Sequence, residues 1–227
     1  LSGTLTYPVG YETMKKKGVP VVIMVSGSGL QNRDEELFDH KPFLVLADHF
    51  ARHGIASLRY DDRGFGASEG GDRVQKDATT LDYKRDAEAG IQYLRSLKKF
   101  GKFGVIGHSE GGNIAFMLGA DKKVDFVVSM AGVGVKADTA LTAQANKIME
   151  LQGQPTRLSV EQYSQNVQAL QSPWMNWFVD YDPTKDIAAV KCPVMAINGD
   201  KDCQVISSLN LPSIKQLLQK NKPHLIK

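Results

Sequence analysis

Gly107-His108-Ser109-Glu110-Gly111 is the stretch on which the reading of this 227-residue chain turns. A G-x-S-x-G pattern is common by chance, so its surroundings have to give it meaning. Upstream, Phe103-Gly104-Val105-Ile106 is a short apolar run expected to form a buried strand. Downstream, Gly111-Gly112-Asn113 leads into the apolar Ile114–Leu118, expected to open a helix. Strand, sharp turn at the serine and helix is the arrangement that lifts a hydroxyl above a sheet. The flanking glycines have a steric use, because such a turn is strained and its helix passes close to neighbouring strands.

Working outward, strands and helices alternate. Val19–Val25 is a continuous apolar run suited to a strand covered on both faces. A helix over Pro42–His53, a strand over Ile55–Tyr60 and a helix over Leu81–Lys98 follow, the last with an apolar stripe of Ala87, Ile91, Leu94 and Leu97. Beyond the serine come a strand over Val124–Ala131, a strand over Pro193–Asn198 and a helix around Leu209–Lys220. Repeated strand–helix units predict an α/β fold with a mostly parallel, doubly wound sheet.

Residues 133–186 break the rhythm: they carry no strand signal and end in the aromatic patch Pro173-Trp174-Met175-Asn176-Trp177-Phe178. The expected organisation is therefore a core of 1–132 and 187–227 with a helical cap at 133–186. Such an insertion would sit over the carboxyl ends of the strands, where open α/β sheets bind ligands. Trp174, Trp177 and Phe178 are candidates to line an apolar substrate pocket, to anchor the cap to the core, or both.

Composition narrows the function classes. Hydrophobic residues make up 42% and charged residues 23%, as in ordinary globular domains. A net charge of +3 gives no argument for nucleic acid, and no apolar run reaches the length of a membrane span. Lys15-Lys16-Lys17 reads as a solvated hairpin turn. Cys192 and Cys203 suggest neither a disulfide framework nor a metal site, and two free thiols are expected. The chain opens on Leu1 rather than Met, which leaves room for a removed secretory leader and fixes no compartment. Composition sets no oligomeric state.

A serine becomes a nucleophile when a base takes its proton and an oxyanion hole receives the developing charge. The N–H of Glu110, directly after the serine, is one candidate hole donor. The second is sought in Ser26-Gly27-Ser28-Gly29-Leu30, after the first apolar strand, with Ser28 preferred and Gly29 or Leu30 as alternatives. That loop lacks both the third glycine of a dinucleotide fingerprint and the Gly-Lys-Ser/Thr of a P-loop. Asn198-Gly199-Asp200-Lys201-Asp202 follows the late strand, where a triad acid would stand. Asp202 is preferred over Asp200, the alternative being a turn aspartate that caps the next helix.

Four segments occur in order along most of the chain: Ser26 to Asp34, Tyr60-Asp61-Asp62-Arg63-Gly64-Phe65-Gly66-Ala67-Ser68, Gly107 to Gly112 and Asn198 to Asp202. Together they resemble the α/β-hydrolase superfamily, most closely its bacterial carboxylesterase-type members. The resemblance implies hydrolysis of a small-molecule carboxylic ester through an acyl-serine intermediate, without cofactor or metal. It further implies a structural role for Arg63 near the sheet edge. Acyl transfer, peptide hydrolysis and a non-catalytic binding role on the same fold are the alternatives.

The expected order of the triad is serine, acid, histidine, and His224 is the only histidine after Asp202. It stands in Lys222–Lys227, which reads as the start of a final, incomplete strand and so would lie below the catalytic layer. His108 adjoins the nucleophile and is expected to shape the turn, while His40, His49 and His53 belong to the first helix and its approach. The base is accordingly expected from a histidine beyond Lys227.

Overall fold

The apolar run before the serine loop becomes the strand Pro20–Val25, whose side chains from Val21 on are almost completely buried. Around it the computed structural model describes residues 1–14, 18–69, 77–155, 157–170 and 172–221. The turn expected at Lys15–Lys17 and the strand with His224 at Lys222–Lys227 lie outside the described residues.

In chain order the strands are β1 (Gly3–Thr6), β2 (Pro20–Val25), β3 (Ala56–Tyr60), β4 (Lys102–His108), β5 (Phe126–Met130) and β6 (Val194–Ile197). The helices are α1 (Pro42–Arg52), α2 (Thr80–Ser96), α3 (Glu110–Ala120), α4 (Ala137–Leu151), α5 (Val160–Gln168), α6 (Pro173–Asp180), α7 (Thr184–Ala189) and α8 (Ser207–Asn221). The sheet order is β1-β3-β2-β4-β5-β6, parallel throughout except for β1, which runs antiparallel to β3. This is the doubly wound sheet expected from the alternation.

Period-two alternation divides the central strands between two cores. Val21, Ile23 and Val25 face a large cluster with Ile91 and Leu94 of α2, Ile114 and Phe116 of α3, Ile187 of α7 and Ile214 of α8. Val22, Met24 and Ile106 face the opposite side, against Phe43 and Ala47 of α1. Local chemistry sets several helix starts. Pro42 occupies the first turn of α1, and a reciprocal Thr79–Asp82 capping box opens α2.

Two features were not anticipated. β1 is only four residues, half-buried and weakly patterned, yet it pairs from Gly3↔Tyr60 to Thr6↔Ser57. It is held by Arg33, which donates to Ser2 Oγ, Thr4 Oγ1 and the Asp61 carboxylate. Second, a boundary after residue 186 falls inside α7, which packs on α3 and α8 and buries Ile187 in the main core. Helices α4, α5 and α6 instead pack on one another.

The tightest packing lies where α3 leaves β4. A Cβ on Gly107 would stand 1.9 Å from the Gly111 carbonyl oxygen, and one on Gly111 would stand 2.1 Å from that of Val25. Backbone cannot yield as a flexible side chain does, so Gly111→Ala should cost about 1–3 kcal/mol or more through overpacking. Urea denaturation of the variant checks this, and an unchanged midpoint would contradict the geometry.

Candidate active site

Ser109 sits at the N-cap of α3 with φ 53° and ψ −116°, a conformation that costs an L-residue free energy. The turn is locked on both sides, since Ser109 N–H donates to the Met130 carbonyl and Gly112 N–H donates to the Ser109 carbonyl. Parallel pairing of β4 with β2 puts Gly107 beside Val25, so the loop after β2 arrives next to the serine. A Cβ on Gly27 would lie 3.3 Å from Ser109 Cβ.

A cavity of about 330 Å³ opens over this junction. Ser109, Ser28, Glu110, Trp174 and Phe178 all line it, as does His108. The apolar wall continues through Leu141, Met175 and Val133, while Gln31, Gln144 and Tyr163 add polar groups. That volume is at the lower end of small-molecule sites. Among the described residues, the backbone N–H groups of Ser28 and Glu110 donate to no protein acceptor. Gly27 N–H is already committed to Glu35 Oε1 at 2.8 Å.

Trp177 departs from the expectation. It does not line the cavity; its ring stacks on Tyr181 at 5.1 Å and packs in the cluster beneath α6. Trp174 and Phe178 are one turn apart and stacked at 5.3 Å, so they share the face turned to the cavity. The next position falls on a different face. Asp202 stands beside the cavity, next to the lining residues Gln204 and Val205. Its Oδ1 accepts the N–H groups of those two residues, the geometry of a turn aspartate.

Among the described residues no imidazole is hydrogen-bonded to Ser109 or Asp202. His40, His49 and His53 are exposed. His108 Nδ1 is 2.8 Å from Glu35 Oε1, and that bond raises the imidazole pKa, with Asp202 adding to the rise from further away. His108 thus ties the elbow to the loop after β2, as the sequence reading expected of a residue that shapes the turn. Arg63 donates to Asp86 and to the Asp82 carbonyl of α2, anchoring the loop after β3.

Several site residues had no motif to mark them. Glu35, at φ 51°, holds both Gly27 and His108. Asn113 exchanges two hydrogen bonds with Val133, and Asn210 accepts from Gly134, fixing the chain where it leaves β5. Each is a buried polar residue whose partners are distant in sequence, so burial was the one usable signal. The two cysteines form no disulfide. No group of three His, Cys, Asp or Glu among the described residues is placed to hold a metal ion. No helix among them is long and apolar enough to cross a membrane.

A mostly parallel sheet bearing a strained serine between its central strand and the following helix defines an α/β-hydrolase. The chain belongs to the Hydrolase_4 family, serine aminopeptidase S33, which it matches over residues 41–183. It is 27% identical to the esterase EstD of Thermotoga maritima over 222 residues, covering 90% of this chain and 50% of that protein. The chain therefore spans about half the length of this curated relative. In fold it resembles Est1E of Butyrivibrio proteoclasticus with bound ferulic acid, at a TM-score of 0.67 and 18% identity over 96% of this chain and 82% of that one. An esterase of Pyrococcus furiosus is similar, at a TM-score of 0.65 and 19% identity over 92% and 72% of the two chains.

Two adjacent aspartates below the site carry opposite pH signatures. Hydrogen bonding to Arg33 holds Asp61 down at about 2, whereas burial pushes Asp62 up to about 7, with Glu110 and Asp86 adding to the rise. Asp61 therefore contributes stability that is present above the ordinary carboxylate value of 3.8 and lost as pH falls towards 2. Asp62 does the reverse: between 3.8 and about 7 the folded state keeps a proton that the unfolded state has released, so stability declines as pH rises. Asp61→Asn should thus cost most at neutral pH. Asp62→Asn should remove a slope of up to about 1.4 kcal/mol per pH unit. Denaturation midpoints measured from pH 3 to 8 check both signs; parallel curves for the two variants would refute the assignment.

Proposed function

We propose that this protein is a serine hydrolase that cleaves small carboxylic esters through an acyl-serine intermediate. The observation that carries the reading is the strained Ser109 at the mouth of a cavity onto which two uncommitted backbone N–H groups, those of Ser28 and Glu110, also border. Ser109 Oγ attacks the acyl carbonyl carbon, and its proton passes to a base. The carbonyl oxygen becomes an oxyanion that accepts from the two N–H groups, a preorganised arrangement needing no rearrangement as charge develops. Collapse expels the alcohol, which takes the proton from the base, and water then repeats the sequence on the acyl-serine.

Asp202 is assigned as the acid that orients the base, and the base as a histidine following Asp202 in the chain, in the order serine, acid, histidine. Helices α4 to α6 act as the cap, with Trp174 and Phe178 contacting the acyl group. Their aromatic rings and a volume of about 330 Å³ favour a compact apolar or aromatic acyl chain over a long one. The esterase named EstD supports an ester substrate, and the family's aminopeptidase name supports an amide as the second reading.

In the intact protein, Ser109→Ala should abolish hydrolysis of a short p-nitrophenyl ester and labelling by a fluorophosphonate probe. Asp202→Asn should lower kcat by about 10³–10⁴-fold, as expected when a base loses its orienting acid. Unchanged turnover in Ser109→Ala would sink the assignment. Faster turnover of an aminoacyl p-nitroanilide than of the ester would favour the second reading.

A further inference from the structure

Glu110 is 3% exposed, although it is an acidic residue in a cap-covered junction. Its backbone N–H borders the cavity, but its carboxylate turns the other way, into the protein. There it accepts the Thr80 hydroxyl at 2.6 Å and the Trp174 indole N–H at 2.8 Å, both on Oε1, and also the hydroxyl of Ser28. These donors come from the start of α2, the helix α6 and the loop after β2, elements with no other common contact point.

Burying a carboxylate is costly, and where only packing is required an apolar group of similar volume serves as well or better. The position at the first turn of α3 offsets part of that cost, because the helix N-terminus favours negative charge. Three donors offset more. The reward of retaining the charge lies in what the donors are. Ser28 supplies one of the two N–H groups assigned to the oxyanion, and Glu110 supplies the other. Fastening the Ser28 hydroxyl to the Glu110 carboxylate sets the distance between those two N–H groups. Fastening Trp174 to the same oxygen that holds Thr80 ties the cavity wall to that distance.

We infer that the Glu110 carboxylate is a positioning group that holds the two oxyanion N–H donors in register and couples them to the cap through Trp174. This rests on the hydrolytic reading above and extends it. Acyl groups that press on the Trp174 ring then act on kcat as well as on binding, since the indole and the oxyanion donors share one anchor. A wall residue without that link would act on KM alone.

The test separates these two behaviours. Trp174→Phe keeps a ring for stacking on Phe178 and deletes the indole N–H; Ser28→Ala deletes the hydroxyl and keeps the backbone N–H. Each should lower kcat about 5- to 20-fold with KM within about twofold, less than the 10²–10³-fold of removing an oxyanion donor outright. The doubly substituted protein should lose less than the product of the two, because they share one partner. Glu110→Gln retains an acceptor oxygen and should stay within about threefold of the parent, while the near-isosteric Glu110→Leu should fall about 10²-fold. If Glu110→Leu does not fold, the Ser28 and Trp174 pair still decides. A raised KM with unchanged kcat in Trp174→Phe, or no effect in either variant, overturns the clamp. Ser109→Ala measured alongside keeps the two ideas apart. Activity there removes the hydrolytic reading and the clamp's catalytic role together. An inactive Ser109→Ala beside unaffected Ser28→Ala and Trp174→Phe removes the clamp alone.

Discussion

The close approach of the α3 N-terminus to the carboxyl ends of β2, β4 and β5 is the constraint on which the site depends. Gly111 lies so near the Val25 carbonyl, and Gly112 so near Ser129, that no side chain fits at either position. That proximity makes the chain turn within a single residue after β4, which forces Ser109 to φ 53°. The strain is retained because the surroundings over-determine it: bonds to Met130 and Gly112 on one side, and fully buried residues such as Ile114 and Phe116 on the other. A looser helix would let the serine relax to ordinary geometry and turn its hydroxyl away from the cavity.

Around that turn, carboxyl groups are placed in different physical states by their neighbours. Asp61 is charged and bound to Arg33, and so joins β1, the loop after β2 and the end of β3. Asp62, one residue on, is buried with Ser26 and the Gln31 N–H as its partners and holds its proton more tightly. Glu35 binds the elbow histidine, and Glu110 gathers three donors from three elements. The loop after β2 is therefore fastened from below by Asp62, from the side by Glu35 and from behind by Glu110. A glycine-rich loop would otherwise sample many conformations, and fixing its N–H groups in advance is what electrostatic stabilisation of an oxyanion requires.

Legibility along the chain followed the range of the interactions involved. The apolar runs at Val19–Val25, Ile55–Tyr60 and Phe103–Ile106, and the stripe over Ala87–Leu97, gave β2, β3, β4 and α2 within a residue or two. Their signal is periodic burial, which short windows contain. β1 was missed because Gly3–Thr6 has almost no pattern of its own and forms by pairing with β3. Trp177 was grouped with Trp174 and Phe178 by adjacency, whereas helical geometry sends it towards Tyr181. The junction of α7 with the core was misjudged for a similar reason: Ile187 is buried by α3 and α8, neither of which adjoins it in sequence.

Local sequence was thus enough to determine a doubly wound sheet, a serine at a strand–helix turn, a glycine loop after the first parallel strand and an aspartate after the last one described. Glycine spacing and hydrophobic period act over a few residues and survive being read in one dimension. Tertiary folding alone decided that Ser28 and Glu110 leave N–H groups uncommitted at one cavity, that Trp174 faces it while Trp177 does not, and that Glu110 binds residues 28, 80 and 174. Those facts depend on the register of β2 against β4 and on the packing of α6 over the elbow. They are contacts between segments far apart along the chain, for which no local pattern of residue types carries a mark.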